Sequence, residues 1–152
     1  MVKIKVKSLA EMSDFAVSFL GKIDCYDGRA TIIALYGDLG SGKTTFTQSV
    51  AKAFGIKSIV TSPTFVIEKI YKLPKEVLKK NGFKHLIHID AYRLNGSDEL
   101  LSLGWNGLVT NPENIIFIEW PERVSDLISK EPCIKKLWFE FIDENTREVV
   151  FR

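Results

Sequence analysis

Apolar and polar residues alternate at the start of the chain. Val2, Ile4 and Val6 follow the two-residue period of a strand with one face against a core. From Leu9 the period changes: Leu9, Met12, Phe15, Ala16, Phe19 and Leu20 recur at steps of three and four. That spacing predicts a helix, with Ser8 and Glu11 placed as a capping box at its start. Residues 31–35 (TIIAL) are almost uniformly apolar, as expected of a strand buried on both faces. A second helix is expected over 43–54, with Phe46, Val50 and Phe54 on one stripe and Gly55 as its stop. Further strands are expected at 66–71 (VIEKIY), 85–90 (HLIHID) and 115–119 (IIFIE), and a short helix over 97–103, ended by Gly104. The segment IKKLWFEFIDENTREVVF, 134–151, reads as a hairpin turning at DENT.

Strands alternating with helices predict an α/β sandwich with a mainly parallel sheet, to which the chain ends add antiparallel strands. No internal repeat or low-complexity linker interrupts the 152 residues, so residues 1–152 are expected to form a single domain. Twenty-one basic against nineteen acidic side chains leave a net charge of +2, too little for binding nucleic acid over a broad face. The lysines of 72–85 (KLPKEVLKKNGFKH) read first as a solvated face, with an RNA- or partner-facing patch as the alternative. Cys25 and Cys133 lack metal-like spacing and are expected to be reduced thiols. No apolar run has the length of a membrane span or the make-up of a signal peptide, so a cytoplasmic protein without membrane contact is expected.

Between the strand at 31–35 and the helix that follows lies GDLGSGKTT. Gly37-x-x-x-x-Gly42-Lys43-Thr44 has the spacing of a phosphate-binding P-loop. Gly37, Gly40 and Gly42 let the backbone wrap an anion with no Cβ in the way. The N–H groups of Asp38, Leu39, Ser41 and Thr45, with those of the glycines, can then converge on phosphate oxygens at a helix N-terminus. Lys43 supplies charge for the β- and γ-phosphates and Thr44 a hydroxyl for Mg²⁺. With the alternating elements, this predicts a P-loop NTPase three-layer sandwich.

Two more apolar runs end in a carboxylate, LIHI in Asp90 and IIFI in Glu119. Carboxyl ends of parallel strands share one edge, where ligands bind. One carboxylate is expected to hold Mg²⁺ and the other to orient or deprotonate an attacking water. The hydroxyl cluster TSPT (61–64) reads as an ordinary turn or as a γ-phosphate-sensing switch. His88, inside an apolar strand, reads as a satisfied core histidine. Trp120 reads equally as core and as a platform for a partner. No Asn-Lys-x-Asp guanine signature occurs, which favours ATP. Only five arginines are present, with none of the arginine-rich lids of small-molecule kinases. From residue chemistry alone the chain is an ATP- and Mg²⁺-dependent hydrolase or kinase.

LYGDLGSGKTTFTQ, SPTF, IDAYRL with EL and LG after it, and IEWPERV, in that order, resemble the tRNA threonylcarbamoyladenosine (t6A) biosynthesis ATPase family, TsaE, also called YjeE. The resemblance implies a Mg²⁺-dependent ATPase, slow alone, that acts on the TsaB–TsaD proteins and permits multiple turnovers of N6-threonylcarbamoylation at adenosine 37. Contact with tRNA would be indirect. It implies that residues 39–44 bind the triphosphate, that Thr44 and Glu119 ligate Mg²⁺, that Asp90 is the catalytic or water-positioning carboxylate, and that Thr64 is the switch hydroxyl. Glu11 and Arg147 would contact the nucleoside end, Arg147 by stacking on the purine. The segment between SPTF and IDAYRL looks longer and richer in lysine than in that family. The alternatives are a small-molecule kinase and a nucleotide-gated binding module that does not hydrolyse.

Overall fold

The computed structural model describes residues 1–23, 28–58, 60–63 and 66–151. Cys25 and Thr64 lie outside them. Among the described residues the strands form one seven-stranded sheet in the order β1-β7-β6-β2-β5-β4-β3. They are β1 (Val2–Val6), β2 (Thr31–Tyr36), β3 (Glu68–Lys72), β4 (His85–Asp90), β5 (Asn114–Glu119), β6 (Ile134–Phe141) and β7 (Arg147–Phe151). The centre, β6-β2-β5-β4, is parallel.

Period two decides which side chain faces which layer. Ile33 and Leu35 of β2 join one core with Ile115 and Phe117 of β5, under α1 (Leu9–Leu20) and α2 (Lys43–Ala53). Ile32 and Ala34 face the opposite core with Ile116 and Ile118, under α4 (Ser97–Ser102), α5 (Trp105–Val109) and α6 (Ser125–Ile128). Both faces of the central strands are thus covered, which explains why they read as unbroken apolar runs. No helix among the described residues is long and apolar enough to cross a membrane.

The expected antiparallel additions are present, with β7 on β6 and β1 on β7. A further one is internal, β3 on β4. β3 starts two residues later than its apolar pattern suggests. The N–H groups of Val66 and Ile67 both donate to the Pro63 carbonyl, and Ile67 takes φ 67°, so the strand begins only at Glu68. The lysine-rich segment 72–85 presents its lysines to solvent. It contains α3 (Lys75–Asn81), whose lysines are exposed while Leu73, Val77 and Phe83 pack into the α1–α2 core.

α5 carries Gly107 at an ordinary helical position, where an added Cβ would meet nothing within 4 Å. Gly107→Ala is therefore expected to stabilise the fold by about 0.5–1 kcal/mol, by restricting the unfolded chain. A lower urea midpoint for this variant would contradict the assignment.

Candidate functional site

The loop between β2 and α2 is shaped by what surrounds it. Gly37 has φ 140°, and a Cβ there would lie 2.4 Å from the Phe139 carbonyl oxygen and 2.7 Å from Ser41 Oγ. No L side chain fits that approach. Gly40 and Gly42 also have positive φ, and Gly42 stands as the N-cap of α2. The first N–H groups of α2 have no carbonyl a turn behind them and point out of the helix end. Ser41 Oγ is buried without a hydrogen-bond partner beside them. The Ser41 N–H is taken up by the Asp38 carbonyl at 3.1 Å, but the free N–H groups of the helix end, the orphaned hydroxyl and the absence of a Cβ suit an anion. Gly37→Ala is expected to cost about 1–3 kcal/mol of stability and to abolish nucleotide binding. Denaturant titration and a fluorescent-nucleotide titration would read the two effects separately.

Lys43 is only 6% exposed. Its ammonium donates to the Gly37 carbonyl and, at 3.0 Å, to the Asp38 carbonyl, and lies 4.3 Å from the centre of the Trp120 ring. Burial pulls its pKa below the ordinary value, against Glu119, Glu122, Asp90 and Asp38, which pull it back up. Trp120 is thus a wall of the cleft as well as a partner of the α4–α6 core. It adopts φ 56°, a conformation rare for a bulky residue, directly after Glu119. Its contact with Lys43 is invisible in the sequence; its place after a strand-end carboxylate was the available signal.

The two strand-end carboxylates meet the loop. Asp90 and Glu119 are opposite each other in the β4–β5 register, 4% and 2% exposed. Thr44 Oγ1 donates to Glu119 Oε1 at 2.6 Å, bridging residues 75 apart in sequence. Asp90 Oδ1 accepts from the Tyr92 N–H at 3.0 Å, which fixes the carboxylate's rotation. Asp90, Glu119, Lys43 and Thr44 line one cleft of about 350 Å³, with Ser62 of the hydroxyl cluster at its side.

The far end of the cleft is walled by the β1–α1 turn and the β6–β7 hairpin. Arg147 reaches it and ties the hairpin to the loop. Its Nε donates to the Gly40 carbonyl at 3.2 Å, its Nη1 to the Asp143 carbonyl at 2.7 Å, and its guanidinium lies over Phe141. Glu11 caps α1: its N–H donates to Ser8 Oγ and its carboxylate accepts from the Lys7 N–H at 2.7 Å. The cleft wall beside it is formed by Lys7, Ser8, Leu9 and Met12. His88 is fully buried, as its strand requires, but it is not satisfied: neither ring nitrogen has a hydrogen-bond partner. Cys133 is a free thiol.

The family model described as "Threonylcarbamoyl adenosine biosynthesis protein TsaE" matches residues 6–149. The chain belongs to the TsaE family. The protein named tRNA threonylcarbamoyladenosine biosynthesis protein TsaE in Rickettsia prowazekii is 32% identical over 143 residues, covering 93% of this chain and 88% of that one. Its namesake in Aquifex aeolicus is 38% identical over 120 residues, 78% and 74% of the two chains. A crystal structure of Bacillus subtilis YdiB superposes with a TM-score of 0.65 at 24% identity, covering 99% of this chain and 83% of that one. The TsaE-family chain therefore has a P-loop NTPase fold.

Proposed function

We propose that this TsaE-family protein binds ATP and Mg²⁺ in the cleft and hydrolyses ATP in support of tRNA t6A formation by TsaB–TsaD, as a single-domain cytoplasmic partner of that pair. The observation that carries the reading is the 2.6 Å bond between Thr44 Oγ1 and Glu119 Oε1. It brings a hydroxyl of the first turn of α2 and a strand-end carboxylate into contact beside the glycine loop, a hard-oxygen pair suited to Mg²⁺. Thr44 and Glu119 would hold that ion, which supplies charge neutralisation for the triphosphate.

The chain's own groups supply the rest. Residues 37–45 receive the phosphates through backbone N–H groups, and Lys43 turns its ammonium from the loop carbonyls toward them. Asp90, held through Oδ1, orients the attacking water and takes its proton. The water oxygen bonds to the γ-phosphorus as the bond to the β–γ bridging oxygen breaks, and ADP leaves. Thr64 stands as a proposed switch hydroxyl, and Glu11 and Arg147 as proposed groups at the nucleoside end. The names of the family model and the relatives support the pathway, and the residues of the cleft support the chemistry.

The test is reconstitution with TsaB, TsaD and substrate tRNA. Hydrolysis is expected to be slow alone and to change when TsaB–TsaD is added. Lys43→Ala and Asp90→Asn are each expected to lower multiple-turnover t6A formation by about 100-fold or more while the first turnover persists. Sustained t6A formation with uncleaved nucleotide would favour a non-hydrolysing module, and transfer of phosphate to a metabolite would favour a kinase.

A further inference from the structure

The alternation of β4 and β5 puts His88, Asp90 and Glu119 on the face covered by α2. Their odd- and even-numbered neighbours divide cleanly, with Leu86 and Phe117 in the α1–α2 core and Ile87, Ile89 and Ile118 in the opposite one. His88 pairs with Phe117 across the two strands and Asp90 with Glu119, so His88 sits diagonally one step beneath Glu119. Its Nε2 is 3.6 Å from Glu119 Oε2. That is about 0.6 Å beyond a hydrogen bond.

A fully buried imidazole with neither nitrogen bonded is a costly choice for a core strand, where leucine or phenylalanine would pack without penalty. Its Nε2 faces the second oxygen of Glu119. The first oxygen is held by Thr44. If Thr44 and Glu119 turn together to a divalent cation, as in the function proposed above, their direct bond no longer fixes the carboxylate. His88 is then a donor placed behind the carboxylate to do so.

From this geometry we infer that His88 is a positioning residue for Glu119: its Nε2–H holds Oε2 and keeps the carboxylate's rotation set for Mg²⁺. It touches neither nucleotide nor metal. Donors behind metal-binding carboxylates typically change metal affinity by about 10–100-fold when removed.

The inference rests on the proposed Mg²⁺ site and has two tests. The first uses metal-free wild-type protein: the ¹⁵N shifts of the His88 ring are expected to show a proton on Nε2, and a proton on Nδ1 alone overturns the role. The second measures mant-ADP binding against Mg²⁺ concentration. His88→Leu is expected to raise the Mg²⁺ needed for half-maximal effect by about 10–100-fold, with mant-ADP binding in EDTA unchanged. His88→Gln, whose amide nitrogen reaches about as far as imidazole Nε2, is expected to stay within about threefold of wild type. His88→Asn, whose amide ends nearer the backbone, should behave like His88→Leu. Equal loss in the Gln and Leu variants, or no loss in Leu, overturns the inference. A wild-type protein indifferent to Mg²⁺ would instead remove the metal site itself, and the role of His88 with it.

Discussion

On the function proposed above, Glu119→Ala is expected to lower ATP hydrolysis, and with it multiple-turnover t6A formation in the presence of TsaB–TsaD, by at least about 100-fold, more than loss of any group acting behind it. The substitution removes the acceptor of the Thr44 hydroxyl and the carboxylate facing His88 in one step. It also removes the negative charge that does most to support the Lys43 ammonium against burial. The variant should still fold, because Glu119 is the last residue of β5 and the apolar positions behind it, Ile115 to Ile118, are untouched. Nucleotide should still enter the loop, since the N–H cradle does not involve Glu119. Steady-state phosphate release with and without TsaB–TsaD would measure the effect. Wild-type rates in Glu119→Ala would sink the metal assignment.

The second large effect is structural. Phe46 lies in the first turns of α2, three residues after Lys43, and is wholly buried. Its ring lies 5.3 Å from that of Phe15, 5.4 Å from Phe19, 5.5 Å from Phe139 and 6.1 Å from Phe117, centroid to centroid. With Val50 and Ala51 it seats the loop's helix on α1 and the sheet. Phe46→Ala leaves a cavity between elements that hydrogen-bonded strands hold in place, so collapse is limited. The expected loss is about 3–5 kcal/mol. Set against a typical stability of about 5–15 kcal/mol, that is a large share. The urea midpoint should fall with the slope unchanged. A loss under about 1 kcal/mol would mean that the ring cluster is not packed as described. Phe46→Leu should recover most of the loss, because it restores much of the volume.

Much of the site was legible because each part carries a local signal. The P-loop glycines and Lys-Thr pair announce themselves by spacing. Asp90 and Glu119 are legible because both end runs of apolar residues that only a parallel sheet buries on two sides. Ser8 and Glu11 gave the cap of α1, with one change: the Glu11 carboxylate bonds the Lys7 N–H, one residue before the N-cap.

What escaped was set by distance or brevity. α3 and α5 span seven and five residues, too few turns for a 3.6-residue period to rise above the lysines and glycines around them. That β6 lies parallel to β2 while also opening a hairpin is a fact of topology, with no local mark. β3 was shortened by the left-handed Ile67, which a β-branched residue does not advertise. Lys43 over Trp120, and His88 left unbonded beneath Glu119, depend on side chains from separate strands and a helix. Neither follows from any one segment.

The most direct test is calorimetric titration of ADP into the wild-type protein and Glu119→Ala, each with Mg²⁺ and with EDTA. One nucleotide per wild-type chain, bound more tightly with Mg²⁺, and a Glu119→Ala variant that keeps the EDTA affinity but loses the gain from Mg²⁺, is the predicted result. No uptake of nucleotide by the wild type, or the full Mg²⁺ gain retained without Glu119, would contradict the account.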